Sequence, residues 1–231
     1  MAKILFVITG ADHWTLADGT KHPTGFWAEE AVAPYEAFKA AGHEITVATP
    51  GGVVPVVDQG SLAAEVNGGQ ENADRIAGVL AAATELRQPI RLEDVNLDDY
   101  AAVFYPGGHG PMEDLAVDAA SGELLTRALE SGKPLGVVCH APAALLAAVD
   151  ADGGNSFAGY RIAAFTNAEE TQAGLADKAK WLLQDRLAEA GVQVEAGEPW
   201  APKVVVDRNL VTGQNPASSA PLAAELLKKL G

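Results

Sequence analysis

The sequence predicts an α/β fold: a doubly wound, mostly parallel sheet with helices on both faces. Three observations lead there. Short β-rich runs alternate with segments of helical spacing, the order that builds a parallel sheet wrapped by helices. With 231 residues, 48% of them hydrophobic, the chain has ample material for one large packed core. It contains no internal repeat and no low-complexity linker, so residues 1–231 are expected to form a single domain.

The elements follow in order. Lys3 to Thr9 is a β-rich run that ends at Gly10, the opening strand. Gly10 to Thr24 is polar, with His13, Trp14, Asp18, Gly19 and His22, and is expected to be a surface loop. Phe26 to Ala41 has helical spacing, with Pro34 either kinking the helix or marking its true start, and Gly42 stops it. Glu44 to Ala48 alternates as a second strand, and Thr49-Pro-Gly-Gly52 is a turn. Val53 to Gly69 has no period and is expected to be loop, whereas Glu71 to Leu86 is helical, apolar at Ile76, Val79, Leu80 and Ala83.

Ala101 to Tyr105 is a buried strand that runs into Pro106-Gly-Gly108-His109-Gly110. Glu123 to Ser131 is helical, and Gly132-Lys-Pro134 breaks it before the strand that begins at Leu135. Tyr160 to Phe165 reads as strand, Thr171 to Ala190 as helix, and Val192 to Val194 as a short strand. Lys203 to Asp207 and Leu210 to Thr212 flank Arg208-Asn209 as a hairpin. The last helix runs from about Pro216 or Ser218 to Leu230.

Composition excludes several classes of function. A formal charge of −15 argues against nucleic acid and anionic membranes as partners, because basic patches supply that affinity. No stretch approaches the roughly eighteen apolar residues of a membrane helix, and the opening Met-Ala-Lys-Ile-Leu-Phe-Val-Ile is too short for a signal peptide. A single cysteine rules out an internal disulfide and fits a reducing, cytoplasmic setting.

That cysteine carries the chemistry. The strand-like Leu135-Gly-Val-Val138 stops at Cys139-His140, and Pro142 then sits in first-turn position, where its missing N–H costs nothing. A side chain at such a corner leaves the carboxyl edge of the sheet, where open α/β sheets hold their sites. A helix N-terminus beside it is expected to lower the thiol pKa. The alternative is a buried cysteine acting as a small hydrophobe. His140 is either the proton acceptor that a thiol needs or a solvent-facing helix-start residue.

Two acidic pairs lie at carboxyl edges, Glu29-Glu30 and Glu169-Glu170, each either functional or a helix-dipole partner. Gly107 and Gly108 present backbone N–H groups to a developing oxyanion or simply make a tight turn. With His109 they form the candidate oxyanion and substrate-binding set. His13, His22, His43 and His109 do not form a spaced metal motif, and the glycine runs lack nucleotide-binding order, so neither metal nor cofactor is expected.

Assembled, these residues resemble the PfpI superfamily, whose domain is shared with class I glutamine amidotransferases. The nearest branch is that of heat-inducible chaperones and glutathione-independent glyoxalases (glyoxalase III). The resemblance rests on Thr24-Gly-Phe-Trp-Ala-Glu-Glu30, Pro106-Gly-Gly-His-Gly110, Val138-Cys-His-Ala-Pro142, Phe165-Thr-Asn-Ala-Glu-Glu170-Thr171 and Leu210-Val-Thr-Gly-Gln-Asn-Pro-Ala-Ser218. It implies a flavodoxin-like, class I amidotransferase-like fold and a homodimer. By the same resemblance Cys139 is the nucleophile and His140 its neighbouring histidine. Glu30 is the acid that hydrogen-bonds the sulfur, and Glu170 the acid that orients the histidine. The N–H groups of Gly108 and His140 form the oxyanion hole. Ala141 stands where many relatives carry glycine. Amidotransferase glutaminases carry their histidine late in the chain; no histidine follows His140 here, which argues against that activity.

The implied reaction converts a small aldehyde such as methylglyoxal to a 2-hydroxy acid through a cysteine hemithioacetal, with His140 or Glu30 as base. Two rivals use the same residues: a stress-response chaperone with Cys139 as redox sensor, and a PfpI-type cysteine peptidase or amidase.

Overall fold

The computed structural model describes all residues, 1–231. Its strands are β1 (Lys3–Val7), β2 (His13–Thr15), β3 (Lys21–Pro23), β4 (Glu44–Thr49), β5 (Ile90–Arg91), β6 (Ala102–Tyr105), β7 (Leu135–Val138), β8 (Arg161–Ile162), β9 (Gln193–Val194), β10 (Val204–Asp207) and β11 (Leu210–Gly213). The helices are α1 (Ala28–Ala40), α2 (Gln70–Ala82), α3 (Thr84–Arg87), α4 (Gly110–Glu113), α5 (Ala119–Glu130), α6 (Asn167–Gln172), α7 (Leu183–Glu189) and α8 (Ser219–Leu230).

Seven strands form one sheet in the order β10-β11-β7-β6-β1-β4-β5, parallel throughout except for the β10–β11 hairpin. From β1 the chain steps one way through α1 to β4, and from β6 it steps the opposite way through α5 to β7. Right-handed crossovers therefore place α1 and α5 on opposite faces. The strands are buried on both sides: Ile4 to Val7, Ala102 to Tyr105 and Leu135 to Val138 are almost completely shielded. This is the doubly wound architecture expected, and it brings the carboxyl ends of β1, β6 and β7 to one edge.

Four expectations need correction. Residues 10–24 are not simply a surface loop, because β2 and β3 pair as an antiparallel hairpin that buries Trp14. The helix expected over 171–190 is two helices. A capping box, in which Thr166 and Glu169 bond each other's backbone N–H, starts α6 at Asn167, and Gly174 in the left-handed region follows its end. Beyond Cys139 the chain forms a seven-residue 3-10 segment, Ala141–Ala147, rather than an α-helix. Pro34 lies inside α1 and does not start it. The helix expected over 71–86 is interrupted at Ala83, whose extended backbone separates α2 from α3. No helix is long and apolar enough to cross a membrane.

The loop from β1 into the hairpin is held by one carboxylate. Asp114 accepts hydrogen bonds from Thr9 Oγ1 and from the backbone N–H groups of Gly10, Ala11 and Leu115. Asp114→Ala should leave the half-buried Gly10 N–H and the buried Leu115 N–H without acceptors, while Ala11 N–H keeps Thr9 Oγ1. The expected cost is about 2 kcal/mol in a urea melt, with looser protection of residues 9–15 in hydrogen exchange.

Candidate active site

Cys139 follows β7 with φ +61°, a left-handed conformation that costs a non-glycine residue roughly 1 kcal/mol. Two backbone bonds hold it there: its N–H donates to the Gly213 carbonyl and its carbonyl accepts from Phe165 N–H, each at 2.9 Å. The corner turns the thiol out of the sheet while leaving it only 4% exposed.

Glu30, on the first turn of α1, is completely buried. Its Oε2 accepts the Gly107 N–H at 2.7 Å, and its Oε1 has no partner in the chain. Burial pushes this carboxyl up to about 8. Glu29, one residue earlier, faces the other way and pairs with Arg75 at 2.9 Å. Gly107 is thus committed to Glu30, and its N–H is not free for an oxyanion. A methyl group on Gly107 would fall 2.7–2.8 Å from Glu30 Oε2, the Val138 carbonyl and the His140 nitrogen.

Gly108 lies close enough to the sulfur for its N–H to pull the thiol pKa down. Its φ is +92°, and a Cβ there would sit 2.5 Å from the Gly25 carbonyl oxygen. Gly108→Ala should lower stability by about 2–4 kcal/mol and abolish turnover together, measured by chemical melts and an activity assay.

The thiol itself departs from expectation. Burial first, and then the Glu30 carboxyl, push Cys139 well above the ordinary thiol range, while Gly108 N–H pulls weakly the other way. The sequence suggested a lowered pKa from a helix N-terminus; the short 3-10 segment does not supply it. The thiol therefore keeps its proton at neutral pH, and His140 is the group placed to accept it. Its Nδ1 lies 3.4 Å from Cys139 Sγ, and its Nε2 lies 2.6 Å from Glu170 Oε2. A carboxylate can only accept, so Nε2 carries the hydrogen and Nδ1 offers a lone pair to the thiol. Burial, with His109 nearby, pushes His140 down to about 4, so the ring is neutral at pH 7.

Glu170 holds two imidazoles, one per oxygen: His140 on Oε2 and His109 on Oε1, the latter at 2.8 Å. Burial opposes its charge, but the imidazoles prevail and hold it below the usual carboxylate range. Four rings meet in a row here, the first pair stacked and the other two contacts tilted. Trp14 lies on His109 at 4.9 Å, His109 on His140 at 4.0 Å, and His140 on Phe165 at 4.2 Å. Glu169 belongs to the framework instead. It accepts from Thr166, Trp200, Gln214 and Asn215 and ties α6 to the loops before β10 and after β11.

The structure therefore brings Cys139, His140, Glu30, Glu170, Gly107, Gly108 and His109 to one place. Sequence reasoning missed Trp14 and Phe165 as walls. The signal for Trp14 was Asp18-Gly19, a turn dipeptide between two short runs that pair as a hairpin. The ligand-type atoms of His109, His140 and Glu170 lie within 4.8 Å of one another, but both imidazoles turn an N–H to the carboxylate, so the group is a hydrogen-bonded triad rather than a set of free ligands. A cleft of about 860 Å³, lined by Leu16, His22, Trp27, Asp58 and Lys178, opens onto His109.

The DJ-1/PfpI family profile matches residues 23–229. Glyoxalase 3 of Candida albicans is 28% identical over 98% of each chain. The crystal structure of glyoxalase III from that organism superposes with a TM-score of 0.86 at 26% identity, covering 98% of this chain and 96% of the other. The glutathione-independent glyoxalase HSP31 of Saccharomyces cerevisiae is 29% identical over 99% of this chain and 98% of its own. The protein/nucleic acid deglycase HchA of Staphylococcus aureus is 26% identical over 94% of this chain and 76% of its own.

Proposed function

The chain belongs to the DJ-1/PfpI family, and on that premise we propose that it is a glutathione-independent glyoxalase acting on small 2-oxoaldehydes. The observation that carries this reading is the meeting of two groups at the Cys139 sulfur: the Glu30 carboxyl and a His140 oriented by Glu170.

In this scheme Cys139 Sγ bonds to the aldehyde carbon of methylglyoxal while its proton passes to His140 Nδ1. The protonated Glu30 carboxyl gives its proton to the aldehyde oxygen, forming a hemithioacetal beside the N–H groups of Gly108 and His140 and leaving Glu30 as a carboxylate. Glu30 then removes the C1 proton, and an enediol forms. The proton returns at the neighbouring carbon, leaving a thioester of lactate on Cys139. A carboxyl titrating near 8 exchanges protons readily at neutral pH, which suits this shuttle. Hydrolysis releases lactate and restores the thiol. Cys139 takes the place of glutathione.

Small substrates are favoured over large ones because the sulfur is 4% exposed at the base of its site. Peptides reach such an atom poorly, and a net charge of −15 repels nucleic-acid phosphates. Methylglyoxal supplied without glutathione should disappear and lactate should accumulate. Aldehyde left unconsumed would end the reading.

A further inference from the structure

We propose that His109 is a second catalytic imidazole, the general base for the water that hydrolyses the Cys139 thioester. The inference rests on the glyoxalase reading and assigns its last step.

His140 is fully engaged, with Nδ1 at the sulfur and Nε2 on Glu170. His109 is engaged on one side only. Its Nε2 meets Glu170 Oε1, and because the carboxylate accepts, this nitrogen carries the hydrogen. In the neutral ring Nδ1 is then a lone pair, and it has no hydrogen-bond partner in the chain. Glu30 Oε1 is the only completely shielded side-chain polar atom lacking a partner, so His109 Nδ1 keeps access to solvent. The cleft that His109 lines provides that access. Trp14 on one face, His140 on the other and Glu170 at the edge fix the ring. A base held rigidly by a carboxylate, with its lone pair toward water, is the arrangement that activates a nucleophilic water. The two imidazoles divide the work: His140 serves the sulfur, and His109 serves the solvent side.

The step balances without an oxidant or a cofactor. Water oxygen bonds to the thioester carbonyl carbon as one water proton passes to His109 Nδ1. The carbon–sulfur bond breaks, and its electron pair stays on Cys139. The imidazolium, paired with Glu170, returns its proton to the sulfur through water in the cleft. The 2-hydroxy acid leaves, and thiol and neutral imidazole are restored.

The test is rapid quenching of wild type and His109→Gln during turnover of methylglyoxal without glutathione. In the variant, about one aldehyde per chain should be consumed in a fast first phase, after which lactate release should fall about 10²–10³-fold. Intact mass should show one acyl group per chain, located on the Cys139 peptide and released as a hydroxamate by hydroxylamine. His109→Ala should show the same accumulation, and added imidazole should clear it. A merely structural role would slow the first phase and the steady state together and trap no acyl group, and that result would overturn the proposal. Wild type that makes lactate while His109→Gln traps nothing overturns only the role given to His109. Wild type that makes no lactate overturns both this role and the glyoxalase reading.

Discussion

Cys139→Ser is expected to reduce lactate formation from methylglyoxal by at least about 10³-fold while leaving the fold intact. The hydroxyl occupies nearly the same volume, and the backbone bonds to Gly213 and Phe165 that hold the corner do not involve the side chain. Stability should therefore change by less than about 1 kcal/mol. What is lost is nucleophilicity. A neutral His140 can draw the proton from a thiol as the sulfur attacks, but a hydroxyl is a far weaker acid and nucleophile in the same place. The assay is lactate production by both proteins, with circular dichroism melts as the control. Equal rates would remove the sulfur from the mechanism.

Glu30→Gln is the second large effect, and it has two parts. Gln keeps an acceptor for the Gly107 N–H but cannot carry a proton between carbons, so turnover should fall about 10²–10⁴-fold. Stability should also change its dependence on pH. The folded carboxyl titrates near 8 against 4.5 in its ordinary state, so the native chain holds this proton while the unfolded chain has released it. Such a raised acid contributes stability that is complete below 4.5 and is lost as pH rises toward 8. His140 works in the opposite sense between about 4 and 6.5, because there the unfolded chain binds the extra proton. The clean window therefore lies from 6.5 to 8, where wild type should lose about 2 kcal/mol. Glu30→Gln should be nearly flat across it in urea melts.

The sheet was legible because buried parallel strands leave continuous apolar runs, and alternation with helical spacing fixes their class. Cys139 was legible as a strand end followed by Pro142; its left-handed φ was not, because nothing in Val-Cys-His announces it. Spacing left Glu29 and Glu30 equivalent, and the resemblance chose between them. Helix phase separates them as well. Glu30, Pro34 and Phe38 lie four residues apart on the buried stripe, whereas Glu29 and Glu36 both reach Arg75. His109 was legible only as a neighbour of Gly107 and Gly108; its bond to Glu170, 61 residues away, and its stacking on a tryptophan in a stretch read as surface loop were not. The thiol pKa was misjudged because a helix N-terminus was assumed where burial and Glu30 decide the outcome.

The most direct measurement is the site of covalent attachment during turnover. Wild type and Cys139→Ser are mixed with methylglyoxal labelled with carbon-13 at the aldehyde carbon, quenched within the first turnover and digested. The account predicts the label on the Cys139 peptide of wild type and its absence from the serine variant. Label found equally in both proteins, or on lysine and arginine peptides alone while lactate is being made, would contradict it.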